Sequence, residues 1–162
     1  MTITIWRIAA DTPDYEAHDL SGKGAETTGG RWNRKGTPMV YSSTSRALAC
    51  LETVVHLSGG YPLPLNRFLI QIKIPAAIWK ARRQFTVADH AGWDAEPSGR
   101  VSIDWGTAWI HGRASLLAEA PSVIVPEEHN ILINPLHRDL GRLSSTKIRR
   151  WTYDHRIKEA VR

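Results

Sequence analysis

The chain has a single cysteine, Cys50, so no internal disulfide can form and no cysteine cluster exists to hold a structural metal. A lone cysteine in a helical stretch reads as a small buried hydrophobe rather than a nucleophile. No run approaches the roughly 20 apolar residues that cross a bilayer. The first ten residues form a short, mostly apolar run interrupted by Arg7 and are followed at once by Asp11, Pro13 and Asp14. They read as a first strand, too short for the apolar core and cleavage site of a signal peptide, and the expected location is cytoplasmic. Internal repeats and low-complexity segments are also missing. No Gly-Lys-Ser/Thr follows a four-residue spacer, no His-Glu-x-x-His lies on a helix, and no Gly-x-Ser-x-Gly elbow presents a nucleophile.

With 162 residues, 42% of them hydrophobic, the chain can bury one substantial core and is too short for two ordinary enzyme domains. Residues 1–157 are expected to form that domain and residues 158–162 a disordered end. The net charge of +5 and the pI near 9.7 favour anionic partners. Basic residues gather only at Arg82-Arg83 and across 138–150, and seven tryptophans could stack on bases. A basic nucleic-acid binder is therefore one reading. No helix-turn-helix or zinc-finger spacing supports it, and a solvated basic face explains the same charge.

The chain is organised around Gly29-Gly30-Arg31-Trp32-Asn33. After two glycines the backbone can turn sharply and lie open to a ligand, and a guanidinium there can clamp phosphate or carboxylate through two parallel hydrogen bonds. Residues 38–43 read as a short strand that delivers Tyr41 towards the same place, before Ser43 or Thr44 caps a helix over 45–57. In that helix Leu48, Leu51, Val54 and Val55 recur at spacings of three and four, and Glu52 falls within their stripe. Burying a carboxylate there is costly without a partner or a ligand. The structural alternative is a salt bridge from Glu52 to Arg31 that merely joins helix to loop.

The remaining elements follow from breakers and alternation. Residues 10–30 read as a loop with one helical turn, and the cluster at 58–64 ends the Glu52 helix. Residues 67–74, stopped by Pro75, form a strand; the pattern weakens over 81–99; and 104–113, continued by Leu116 and Leu117, has helical spacing. Residues 122–125 and 131–133 read as two strands of a hairpin about a turn at 126–130.

Ser122 would open that hairpin after Pro121, either bonding the turn or binding a ligand, since nothing local activates it as a nucleophile. Lys23, between two glycines, could reach a phosphate or simply be solvated. Asn33 and Asn134 are ligand contacts or turn-formers. His56, four residues after Glu52, shares its helix face and would orient it or line the pocket. His56, His111, His129 and His137 could together bind a metal, but their scatter is that of structural histidines, so no metal is expected.

These residues carry a resemblance to the RES-domain family, the toxin halves of a class of bacterial toxin–antitoxin pairs. The family is named for an arginine, a glutamate and a serine, matched here by Arg31, Glu52 and Ser122. The resemblance spans nearly the whole chain, from Trp6-Arg7 through Ser21-Gly22-Lys23-Gly24-Ala25, Tyr41-Ser42-Ser43 and Ile133-Asn134-Pro135-Leu136-His137 to Tyr153-Asp154-His155-Arg156-Ile157. It implies a compact α+β domain whose central mixed or antiparallel sheet is similar to that of diphtheria-toxin-like ADP-ribosyltransferases. It also implies cleavage of the nicotinamide–ribose bond of NAD, a substrate rather than a bound cofactor, which depletes NAD and arrests growth. Arg31 would then hold the pyrophosphate, Tyr41 would stack on nicotinamide, and Glu52 would stabilise the oxocarbenium-like ribose. Ser122, with His56, Lys23 and Asn134 as further contacts, would bind the substrate. The implied acceptor is water, phosphate as co-substrate, or a protein side chain as in an ADP-ribosyltransferase. Cys50 occupies the position, two before Glu52, where a second carboxylate marks transfer to arginine, which argues against that acceptor. The implied partner is an antitoxin with a helix-turn-helix DNA-binding region that blocks the cleft in a hetero-oligomer, leaving this chain without direct nucleic-acid or membrane contact.

Overall fold

The computed structural model describes residues 1–57 and 62–157. The expectations for residues 58–61 of the breaker cluster and for 158–162 fall outside them. Seven strands form one mixed sheet: β1 (Thr2–Ala10), β2 (Val40–Ser43), β3 (Arg67–Pro75), β4 (Arg83–Gln84), β5 (Leu117–Pro121), β6 (His129–Ile133) and β7 (Ser144–Arg150). Their order is β4-β5-β6-β2-β1-β3-β7, and only the β4–β5 pairing is parallel. Four helices accompany it, α1 (Lys23–Thr28), α2 (Arg46–Val54), α3 (Ala76–Lys80) and α4 (Arg100–Gly112), giving an α+β fold. None of them is long and apolar enough to cross a membrane.

Strand alternation sorts the side chains onto two faces. One face carries Ile5, Ala9, Val40, Ile70, Ile72, Ile74, Leu117, Ile131 and Ile133, closed by Ile78 of α3. Each such burial contributes roughly 1.5–3 kcal/mol before entropy is subtracted. The other face is covered in two separate patches. At one end Trp6, Ile8 and Leu69 pack under Ala49 of α2 and Tyr153. At the other, Ala118, Ala120 and Leu132 lie under Trp109 and Ile110 of α4 with Trp32, Phe85 and Trp93. Pairing of Ser43 with Asn130 and of Tyr41 with Leu132 places Tyr41, Ser43 and Asn130 on this second face, where β2 and β6 run side by side. The α2 patch, through the pairing of Trp6 with Ser43, borders it on the β1 side.

Several boundaries differ from the sequence reading. Strand β2 starts at Val40 rather than residue 38, and the helix cap is Ser45, whose Oγ accepts the Leu48 N–H at 3.1 Å. Helix α2 ends at Val54, so Val55 is 51% exposed and leaves the apolar stripe. Leu117 begins β5 instead of continuing a helix, because α4 stops at Gly112 and Arg113 turns the chain in the left-handed region with φ 50°. The first hairpin strand is Leu117–Pro121, and residues 122–125, expected to be that strand, belong to the connection. Strand β7, read in the sequence only as a basic region, pairs with β3 at the sheet edge.

Candidate active site

Glu52 sits in the last turn of α2, reaching over the second sheet face. Its Oε1 accepts hydrogen bonds from Ser122 Oγ at 2.8 Å and from Asn130 Nδ2 at 2.6 Å. Among the described residues no lysine, arginine or histidine lies within ion-pairing distance of Glu52. Oε2 takes no hydrogen bond from the described residues. The carboxylate is thus anchored through one oxygen by neutral donors, and its charge stays available to a positive group.

Ser122 is completely buried and immediately follows β5. Its hydroxyl donates to Glu52 and accepts the Ile124 and Val125 N–H groups, each at 3.1 Å. A hydroxyl has one donor and two lone pairs, so its capacity is used within the protein. Ser122 thus both shapes the turn and holds Glu52.

Arg31 does not meet Glu52, and the salt bridge considered between them is absent. Its Nη1 donates to the carbonyls of Trp93 at 3.2 Å and Ala95 at 2.9 Å, and its Nη2 pairs with Glu96 Oε2 at 2.8 Å. The guanidinium is mostly covered, whereas Glu96 is 78% exposed. Three of the five N–H groups of Arg31 are thus taken within the protein, and Nε–H and one Nη2–H have no partner among the described residues. Gly30 is needed beside it, because a Cβ there would stand 2.7 Å from the Tyr41 hydroxyl. That hydroxyl accepts the Trp32 N–H at 3.0 Å and donates to Asn33 Oδ1 at 2.6 Å, while burial pushes its pKa well above the usual tyrosine value. Tyr41 therefore ties the arginine loop to β2, and its ring packs beside the aromatic patch.

The other expected residues are dispersed. Asn33 donates to the carbonyls of Ala25 and Thr37, and Asn134 donates to Ile110 O and accepts from Leu136 N, both at 2.9 Å. Both asparagines are buried and their amides bond within the protein, as turn-formers do. His56 lies beyond the end of α2, exposed, and is not a partner of Glu52 because the helix that would align them stops at Val54. Lys23 opens α1 and is exposed. Burial pushes the Cys50 thiol up, in keeping with a packed hydrophobe. No three His, Cys, Asp or Glu side chains among the described residues converge as a metal site.

Sequence reasoning missed Asn130 and Ser43. In β6 the register alternates, with Ile131 and Ile133 on the fully covered face, so Asn130 shares the other face with Leu132. A polar residue at an otherwise apolar strand position was the available signal.

The α+β scaffold thus holds the Glu52 carboxylate over the second sheet face by neutral donors and ties the Arg31 loop to β2 through Tyr41. The RES domain model matches residues 4–155, and the chain belongs to the RES-domain family. It is 52% identical over 158 residues to the "Prs ADP-ribosylating toxin" of Sphingobium sp. (strain YBL2), covering 97% of this chain and 98% of that one. It is 35% identical over 146 residues to a "Toxin Res" of Yersinia enterocolitica, covering 89% and 93%. A "Toxin Res" of Pseudomonas putida is 32% identical over 154 residues, covering 94% and 98%.

Proposed function

We propose that this chain is a toxin that cleaves the bond between nicotinamide and ribose in NAD. The observation that carries the reading is Glu52, a carboxylate with no cationic partner among the described residues, held through Oε1 by two neutral donors while Oε2 takes none of their hydrogen bonds. As the bond breaks, nicotinamide leaves as a neutral base with the electron pair, and positive charge passes to the ribose. Glu52 stabilises that charge electrostatically, which requires no strong general acid because the leaving group is already good. Arg31 takes the pyrophosphate by exchanging Glu96 for it. Tyr41 contributes its ring, since its hydroxyl is occupied. The acceptor of the ADP-ribosyl group is water or inorganic phosphate, with NAD depletion as the outcome. The likeness of the fold to diphtheria-toxin-like ADP-ribosyltransferases and control by a cognate DNA-binding antitoxin belong to the same proposal.

Transfer to a protein is a second reading, and the specific support for it is the relative named a Prs ADP-ribosylating toxin, 52% identical to this chain. In that case the protein called Prs is the first acceptor to try. One experiment separates the acceptors: nicotinamide release from NAD by purified chain, alone, with phosphate, and with Prs protein and labelled NAD, against Glu52→Ala. Release that Glu52→Ala abolishes is expected, and label moving onto Prs would select transfer. Undiminished release by Glu52→Ala would overturn the catalytic assignment. No release and no label, by folded protein free of antitoxin, would overturn NAD cleavage.

A further inference from the structure

We propose that Asn130 is a positioning residue for Glu52, fixing Oε1 so that Oε2 is the oxygen that meets the ribose. The inference rests on the NAD-cleaving reading above. Asn130 bridges two groups: Ser43 Oγ stands 2.7 Å from its Oδ1, and Glu52 Oε1 stands 2.6 Å from its Nδ2. The orientation of the amide follows from chemistry. A carboxylate only accepts, so the NH2 must face Glu52, and the Ser43 hydroxyl then donates to the carbonyl oxygen left on the other side. Ser43 and Asn130 are paired across β2 and β6, so the backbone ladder sets the distance between them.

The Glu52 carboxylate is thereby connected to three separate parts of the fold. Ser43 holds Asn130 from β2, Asn130 reaches Glu52 from β6, and Ser122 reaches the same oxygen from the turn after β5. Behind it, Thr53 of α2 is bonded to the Tyr153 hydroxyl at 2.7 Å, which holds the helix at the neighbouring position. Both donors converge on Oε1, and neither carries charge. This arrangement restricts rotation of the carboxylate while leaving Oε2 and the negative charge for the substrate, the geometry that electrostatic stabilisation of an oxocarbenium requires. Ser122 alone would leave the group free to pivot about one hydrogen bond.

The test compares nicotinamide release by the full chain with Asn130→Ala, Asn130→Asp and Ser43→Ala, and records infrared difference spectra of the Glu52 carboxylate stretch, identified by subtracting Glu52→Gln. For Asn130→Ala we expect kcat to fall about 10- to 100-fold, with KM for NAD within about twofold and the carboxylate bands displaced. Asn130→Asp, which sets a second carboxylate against Glu52, is expected to lose more. Ser43→Ala should lose less with the same signature. Circular dichroism checks folding, and Asn130→Ser replaces Asn130→Ala if the latter does not fold. Unmoved bands, or a KM that rises while kcat holds, would overturn the assignment. Displaced bands in a native chain that releases no nicotinamide would sink the NAD reading and the positioning role with it, while the Asn130–Glu52 bond stood.

Discussion

Glu96 decides how Arg31 can meet an anion. Its carboxylate holds Nη2 at 2.8 Å while the carbonyls of Trp93 and Ala95 occupy Nη1. In the proposed reading, a pyrophosphate that approached Nη2 would compete with Glu96 there, and the exposed carboxylate would be the weaker rival, since surface pairs contribute about 0–1 kcal/mol. Glu96→Gln is expected to lower the KM for NAD by about two- to fivefold with little change in kcat, as measured by initial rates of nicotinamide release. A raised KM would instead mean that the pair folds the loop into its binding shape. Residue types and spacing drew attention to Arg31, Tyr41 and Glu52 in the sequence, and the family resemblance added Ser122. Their partners were not legible there: Glu52 meets Ser122 and Asn130 across 70 and 78 residues, and only the sheet brings them together.

At the scale of elements, α4 bears on the arginine loop through Gly106. A Cβ at that position would stand 1.9 Å from the Trp32 carbonyl oxygen, a contact that backbone must relieve. Alanine usually favours a helix by about 1 kcal/mol over glycine, yet here the overlap should dominate, with a net loss of roughly 1–3 kcal/mol. A lower melting temperature for Gly106→Ala is expected, and an unchanged or raised one would show that α4 can withdraw freely. The long central strands β1 and β3 were readable because their alternation matches burial on two faces. The edge strand β7 was not, because only one side is paired and its sequence is mostly polar and basic. Lys147 of β7 reaches Asp11, just past β1, with contacts of 2.9 and 2.8 Å. That hydrogen bond holds Asp11 below its ordinary value of 3.8. A carboxylate lowered in the folded state contributes stability above its unfolded pKa and loses it as pH falls through the folded one. The melting-temperature difference between the native chain and Lys147→Met should accordingly be steady near neutrality and vanish only below pH 3.8. A difference that persisted in stronger acid would assign the effect to the Lys147 ammonium over the Phe68 ring.

Across the whole molecule the net charge of +5 is divided rather than concentrated. Arg82 and Arg83 lie at or beside β4, at one edge of the sheet, and Lys147, Arg149 and Arg150 lie on β7 at the other. Six strand spacings of about 4.8 Å separate those edges by about 29 Å, so the two groups do not form one stripe along which a phosphate backbone could run. Several of these cations are also engaged: Arg82 pairs with Glu119, Lys147 with Asp11, and Arg149 lies over the Trp151 ring. Four of the seven tryptophans that might have stacked on bases are packed on one another, Trp32 against Trp93 and Trp105 against Trp109, with Trp32 only 2% exposed. A nucleic-acid binder needs a continuous basic track or open aromatic faces, and among the described residues three of these cations and four of the tryptophans are engaged within the fold. Binding of a labelled DNA duplex, followed by fluorescence anisotropy, is therefore expected to be no tighter than the micromolar non-specific range and to disappear as salt is raised to about 0.15 M. Submicromolar binding that survived that salt would make nucleic acid a direct partner, and the charge at the two edges would then have to be read as two separate contacts along one bent or folded strand.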